Sequence, residues 1–410
     1  MNYLETVQKK IKKYQSKGHG KLFILFKLIV LNFKFLFKDT KFDFGSTYIS
    51  DDICSRFSSP KKSNEILIAF KSNGANANVL IHLNLIKKLL DKVSCPELKV
   101  FFFGGMDKEF NDAVFKNLSF IHSFHESTEL REDDYSYYDA VVELDLFADV
   151  VRANFEKIHA VSLELYQILF GWFTFKNNEL YSNMFKLRPK LDCNIYKWGM
   201  LNGKNCLDIA DVDNVLNIEQ EYSFDIETNE TKTTKLLKSL NLEAQKFITI
   251  QRPNCINNST LSVPDSILEN AISLLKTQFN NLKVVQVGMD YDASGSVLKG
   301  VDVYLVGKTS KTSWEDVKIL LNNALYHVDI DSDLVHLRKA LKSGPSIVLF
   351  GPTPVEFWGY NDNINISSEG CHNCMELTDN WRMDCLQKKG SCLAECSCNF
   401  ELKKLVNGKK

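Results

Sequence analysis

Between Glu65 and Phe350 the chain alternates short, almost wholly apolar runs with longer helical periods, and it does so in two successive series. An apolar run without polar alternation fits a strand buried on both faces, as in a parallel sheet covered by helices. In the first series, residues 66–70 and 100–103 read as strands with a helix over about 79–90 between them. Residues 140–144 and 158–161 are weaker strand candidates. A polar stretch from Glu227 to Thr234 then marks a boundary. Beyond it, strands are expected at 247–250, 283–287, 303–305 and 346–350, with a short one ending at Val328. Helices are expected at 265–279, 313–325 and 333–341. Two such series predict two doubly wound α/β domains, 61–230 and 231–370. Ligands of such sheets sit outside the carboxyl ends of the strands, where helix N-termini point at them.

Composition narrows the class further. A chain of 410 residues, 44% hydrophobic and 25% charged, is ordinary for a globular protein and excludes wholesale disorder. With 19 Gly and 8 Pro, collagen-like and low-complexity readings fail. A net charge of −1 leaves no global footprint for a polyanion, so no nucleic-acid partner is expected.

The two ends differ from this average. Residues 1–40 hold nine Lys against Glu5 and Asp39. Within them residues 22–37 are very apolar, interrupted by Lys27, Asn32 and Lys34, which is too short and too charged for a spanning helix. No secretory cleavage pattern follows. Drawn as a helix, Lys27, Lys34 and Lys38 share one stripe, so residues 1–60 read as a basic, apolar helical extension. It fits either peripheral contact with an anionic membrane or a packing or oligomer contact. At the other end, six of the eleven cysteines fall between Cys371 and Cys398, in a tail spanning 371–410. Without an export signal, thiolate ligation of zinc or iron fits that density better than disulfides. A site closed by cysteines alone is structural.

The segments able to carry chemistry cluster between Val306 and Asn365. Gly307-Lys308-Thr309-Ser310 precedes a helix, Asp331-Ser332-Asp333-Leu334-Val335-His336 opens the next, and Ser346 to Thr353 reads SIVLFGPT. Gly307-Lys308-Thr309 lacks the upstream glycine of a P-loop. Asp329, Asp331 and Asp333 begin like a calcium loop, but its sixth position is Leu334 and its twelfth Ala340. In this order and spacing the segment resembles glycosyltransferase family 9, the ADP-heptose:lipopolysaccharide heptosyltransferase type. VHLRKAL followed by SIVLFGPTPVEFWGY is most similar to the branch that includes autotransporter heptosyltransferases.

That resemblance implies a GT-B architecture: two Rossmann-like domains, acceptor first and donor second, with a nucleotide-sugar of the ADP-heptose kind in the cleft. It implies inverting transfer of a heptose or hexose to a cell-surface glycan or protein acceptor, as in lipopolysaccharide biosynthesis, with no catalytic metal. It implies a cytoplasmic location, with or without attachment at the inner face of the membrane, and it leaves a homo-oligomer open. Chemistry asks for a base on the acceptor hydroxyl and positive partial charge for the departing diphosphate. Helix starts near Ser332 and Thr353, at the turn after Gly351, can offer N–H groups, and Arg252, Lys308 and Thr309 are further candidates. His336 and Asp331 match the family's helix start, and Asp292 stands where the family places a carboxylate toward the ribose. The resembling branch points to Cys371, Cys374 and Cys385 as metal ligands, then Cys392 and Cys396.

Three positions depart from the pattern. The family's base is an Asp where this chain has Asn78, in the turn Gly74-Ala75-Asn76-Ala77-Asn78. A Lys expected in the loop after the second domain's first strand is missing from Leu261-Ser262-Val263-Pro264. The Gly of the helix-start turn is Asp333, expected here as a helix-start residue facing solvent. A catalytically silent homologue that binds a nucleotide-sugar or a partner is therefore the alternative. A metal-dependent GT-A enzyme rests only on the Asp-x-Asp spacing.

Overall fold

The computed structural model describes residues 64–72, 74–105, 107–145, 147–175, 198–211, 215–253, 259–288, 297–307, 312–367, 373–375, 377, 380–388 and 392–393. The expected helical extension at 1–60 lies outside them.

Two sheets organise the described residues. The first contains β1 (Ile66–Ser72), β2 (Leu98–Gly104), β3 (Ser123–His125), β4 (Ala140–Leu144) and β5 (Ala148–Ala153), in the order β3-β2-β1-β4-β5. The second contains β6 (Phe247–Gln251), β7 (Lys283–Gly288), β8 (Val303–Val306), β9 (His327–Ile330), β10 (Ser346–Phe350) and β11 (Ile364–Ser367), in the order β11-β10-β9-β6-β7-β8. Every pairing in the second sheet is parallel. Numbered from its own first strand, each sheet runs 3-2-1-4-5, the doubly wound order, and the second adds a sixth strand. The order reverses between β1 and β4 and between β6 and β9. Those two junctions are the switch points at which such sheets bind ligands.

Helices follow the strands as expected. They are α1 (Asn76–Lys92), α2 (Lys108–Val114), α3 (Phe155–Val161), α4 (Leu163–Phe175), α5 (Glu230–Ser239), α6 (Asp265–Gln278), α7 (Trp314–Asn323), α8 (Asp333–Ala340) and α9 (Val355–Trp358). Two expectations are corrected. Residues 158–161 are not a strand but the end of α3, whose start is fixed by Asn154 Oδ1 accepting from Lys157 N–H at 3.1 Å. A four-residue apolar run cannot distinguish strand from helix, and the cap decides. The first sheet is not wholly parallel either, because β5 turns back along β4 as an antiparallel edge strand. That hairpin leaves Asp145 directly after the carboxyl end of β4.

Burial explains why the strands form where they do. The first five residues of β1 and all five of β10 are buried, as central strands covered on both faces must be. One buried cluster runs from the first sheet into one face of the second, and another covers the far face of the second. Two polar ties reinforce that continuity. Trp314 of α7 packs edge-on against Phe110 of α2, with centroids 4.8 Å apart, and donates its indole N–H to Asp107 Oδ2 at 2.8 Å. Lys318 of α7 donates to the carbonyls of Ala113 (2.7 Å) and Glu227 (3.0 Å). No helix among the described residues is long and apolar enough to cross a membrane.

Candidate functional site

The two switch points face a common cavity of about 280 Å³. From the first sheet come Ala75, Ala77 and Asn78 at the start of α1, and Asp145 after β4. From the second come Asp331, Ser332, Asp333 and His336 between β9 and α8, with Leu261, Thr353 and Trp358 beside them. Met375, Trp381 and Arg382 of the tail complete the wall.

The turn before α1 depends on Gly74. A Cβ there would lie 2.5 Å from the Cβ of Asn78, so only glycine lets the chain close over that side chain. Below it, His82 joins the two strand ends. Its Nε2–H donates to Asp145 O at 2.6 Å, which leaves Nδ1 to accept from Ser72 Oγ at 2.8 Å. Burial lowers its pKa to about 4, so it is a neutral spacer that fixes the backbone of Asp145.

Across the cavity, Asp329 organises the start of α8. It is fully buried, accepts from Ile330 N–H at 2.7 Å and from the Ser332 hydroxyl, and lies 3.2 Å from His327 Nε2. Ser332 in turn accepts from Leu334 N–H at 3.3 Å and caps the helix.

Asp333 does not face solvent, contrary to expectation. Its Oδ1 accepts from Ala77 N–H at 3.0 Å, so it bridges the cavity to the turn that carries Asn78. An uncapped helix N-terminus attracts a carboxylate, and α1 has neither a capping side chain nor an acid in its first turn. Burial raises the Asp333 carboxyl above the ordinary carboxylate range; the Ala77 N–H and nearby His336 oppose that shift only in part.

His336 is almost fully buried yet lines the cavity. Its Nε2 lies 3.5 Å from Asp331 Oδ1, its Nδ1 is 2.6 Å from Tyr360 Oη, and Tyr360 Oη is 3.1 Å from Tyr222 Oη. These contacts tie Tyr222, Tyr360, His336 and Asp331 into one polar chain.

The structure thus brings together Asn78, Asp331, Ser332, His336 and Thr353. Arg252 is elsewhere: its guanidinium grips Asp265 at 2.6 and 3.2 Å and does not line the cavity. Gly351 does not line it either. A Cβ there would meet Cys392 Cβ at 3.3 Å and Thr260 O at 3.4 Å, so this glycine admits the tail. Asp292, Lys308, Thr309, Cys371 and Cys396 lie outside the described residues. Among the described residues no group of three or more His, Cys, Asp or Glu comes together to hold a metal ion, so Cys374, Cys385 and Cys392 form no such group. Asp145, Trp358, Trp381 and Arg382 were not anticipated. For Asp145 the signal was its place after a strand; for the tail residues no sequence signal exists.

Residues 294–386 match the model of glycosyltransferase family 9 (heptosyltransferase). This segment of the chain is therefore similar to that family. It includes Asp331, Ser332, Asp333, His336, Thr353, Trp358, Met375, Trp381 and Arg382, and so most of the cavity wall. No curated protein matches the chain. Among solved structures, E. coli ADP-heptose LPS heptosyltransferase II is 13% identical with a TM-score of 0.48, covering 84% of this chain and 99% of that one. The iron-containing dodecameric glycosyltransferase TibC from enterotoxigenic E. coli H10407 is 15% identical with a TM-score of 0.48, covering 85% and 75%. A glycosyl transferase family 9 protein from Veillonella parvula DSM 2008 is 14% identical with a TM-score of 0.47, covering 74% and 86%.

Proposed function

We propose that the protein is a GT-B glycosyltransferase that moves a sugar from a nucleotide-sugar, of the ADP-heptose kind, to a glycan or protein acceptor with inversion. The first sheet then belongs to the acceptor domain (61–230) and the second to the donor domain (231–370). One observation carries this reading: the segment similar to family 9 forms most of a cavity whose remaining wall, Leu261 apart, is the switch point of the other sheet.

Inverting transfer needs a base at the acceptor hydroxyl, and the amide of Asn78 cannot accept that proton. Asp333 fills the role in this reading, because it reaches the Asn78 turn from the opposite side. A half-buried carboxylate with a raised pKa is the stronger base. Asp331, beside His336, is left to hold sugar hydroxyls.

The test is a thermal-shift panel of nucleotide-sugars followed by nucleoside-diphosphate release. Stabilisation by one donor and release that depends on an acceptor are expected. Donor binding without release would favour the silent homologue, the reading that Asn78 supports. No binding at all would reject both.

A structural zinc or iron in the 371–410 tail rests on the cysteine spacing and on the family resemblance. It predicts about one metal per chain, lost together with stability in Cys374→Ser. Metal analysis that finds none in an equally stable protein removes it. Membrane-surface contact through residues 22–37 and homo-oligomer formation likewise rest on the sequence pattern.

A further inference from the structure

We propose that Arg382, carried by the cysteine-rich tail, is the cation that receives the donor's diphosphate, with Thr353 Oγ1 and Trp358 Nε1 as the neutral donors beside it. The inference rests on the nucleotide-sugar reading above.

Charge decides where an anion can sit in this cavity. Three carboxylates line it, at Asp145, Asp331 and Asp333, and a diphosphate close to any of them would be repelled. Among the described residues, Arg382 is the one Lys or Arg in the wall. Arg252 is held by Asp265, and the loop Leu261 to Pro264 contains no cation.

Unmet hydrogen bonds point to the same place. Thr353 Oγ1 and Trp358 Nε1 are buried with no partner among the described residues, and Thr353 is only 9% exposed. Buried donors without acceptors are costly, and both of these residues line the cavity. A ligand rich in acceptor oxygens would satisfy them, and an indole N–H can only donate.

Arg382 is also held in position. Its carbonyl accepts from Thr260 N–H at 3.3 Å and from Thr260 Oγ1 at 2.7 Å, and Thr260 is fully buried. Its guanidinium lies 4.9 Å from the ring centroid of Trp381, which is itself buried. Backbone anchoring and stacking leave little freedom to lose on binding, and the exposed guanidinium can present two parallel N–H groups to phosphate oxygens.

The experiment uses the full-length chain and isothermal titration with ADP, UDP, GDP and CDP, then with the nucleoside of whichever diphosphate binds. Arg382→Ala should weaken the diphosphate by about 10- to 100-fold and leave the nucleoside unchanged. Arg382→Lys should recover part of the loss, because it keeps the charge but not the paired donors. Thr353→Val, which keeps the shape and removes the hydroxyl, should cost about 3- to 10-fold for the diphosphate. Equal affinity in Arg382→Ala and wild type overturns the assignment while leaving the nucleotide-sugar reading intact. Parallel loss of nucleoside and diphosphate overturns it too, because the arginine would then only shape the wall. If no diphosphate binds wild type, the nucleotide-sugar reading falls and the assignment falls with it.

Discussion

Asp333→Asn lowers turnover by about 10²- to 10⁴-fold while donor affinity stays close to that of wild type. The amide oxygen can still accept from Ala77 N–H, so the bond across the cavity survives and only the proton-accepting capacity is lost. The pH profile provides a second readout. A base must be unprotonated to act, so activity falls as pH drops through the pKa of Asp333. Burial raises that pKa, which places the acid limb of kcat/KM above the ordinary aspartate value of about 3.9. In Asp333→Asn that limb should disappear from the residual rate. Adding Asn78→Asp to the same protein returns a carboxylate to the turn from the other side, and turnover should partly recover. Full activity in Asp333→Asn, with loss in Asp145→Asn, would move the base to the β4–β5 hairpin.

Arg338→Met should cost the fold at least about 3 kcal/mol, read from urea denaturation midpoints. Arg338 of α8 is fully buried, and its guanidinium donates to the carbonyls of Leu321, Ala324, Leu325, Ser343 and Pro345. Those carbonyls end α7, lead into β9 and lie between α8 and β10. Methionine keeps most of the volume but removes this donor from all of them, although Ala324 O still accepts from Gln245 Nε2 at 3.4 Å. Burial lowers the guanidinium to about 10, so it remains charged near neutral pH. Because α8 also carries Asp333 and His336, donor affinity should weaken before the protein unfolds. An unchanged midpoint would show that water replaces the side chain at little cost.

The strands at residues 66–70, 247–250 and 346–350 were legible because each is a largely apolar run in the middle of a sheet, whereas 140–144, interrupted by Glu143, was a weaker candidate. β3, β5 and β11 were not, being short edge strands with polar residues and little burial to announce them. In the candidate site, Asp331, Ser332, His336 and Thr353 were legible because a motif spaces them along two adjacent strand ends. Arg252 looked like a phosphate ligand from its place after β6. Asp265, which opens α6 thirteen residues later, takes its guanidinium instead. Arg382 could not be found in advance, because only the docking of the tail on Thr260 brings it to the wall. Asp333 was read on its own helix, whereas its partner lies on α1, in the other sheet's half of the chain.

The Trp314 and Lys318 ties join α7 to α2 away from the cavity, whereas α8 packs on α1 beside it and adds one polar bond, from Ala77 N–H to Asp333. Were the two halves to part as a book does, with the spine at Trp314, the margin would lie at Asp333. Parting the margin would carry the base away from the acceptor side and uncover the amino end of α1 in the same movement. Asp333 stays on α8 with the donor half, so an open cleft would leave the base beside the donor sugar and within reach of water. Wasteful hydrolysis would be held down only by closure, which sets the Ala77 turn back against Asp333.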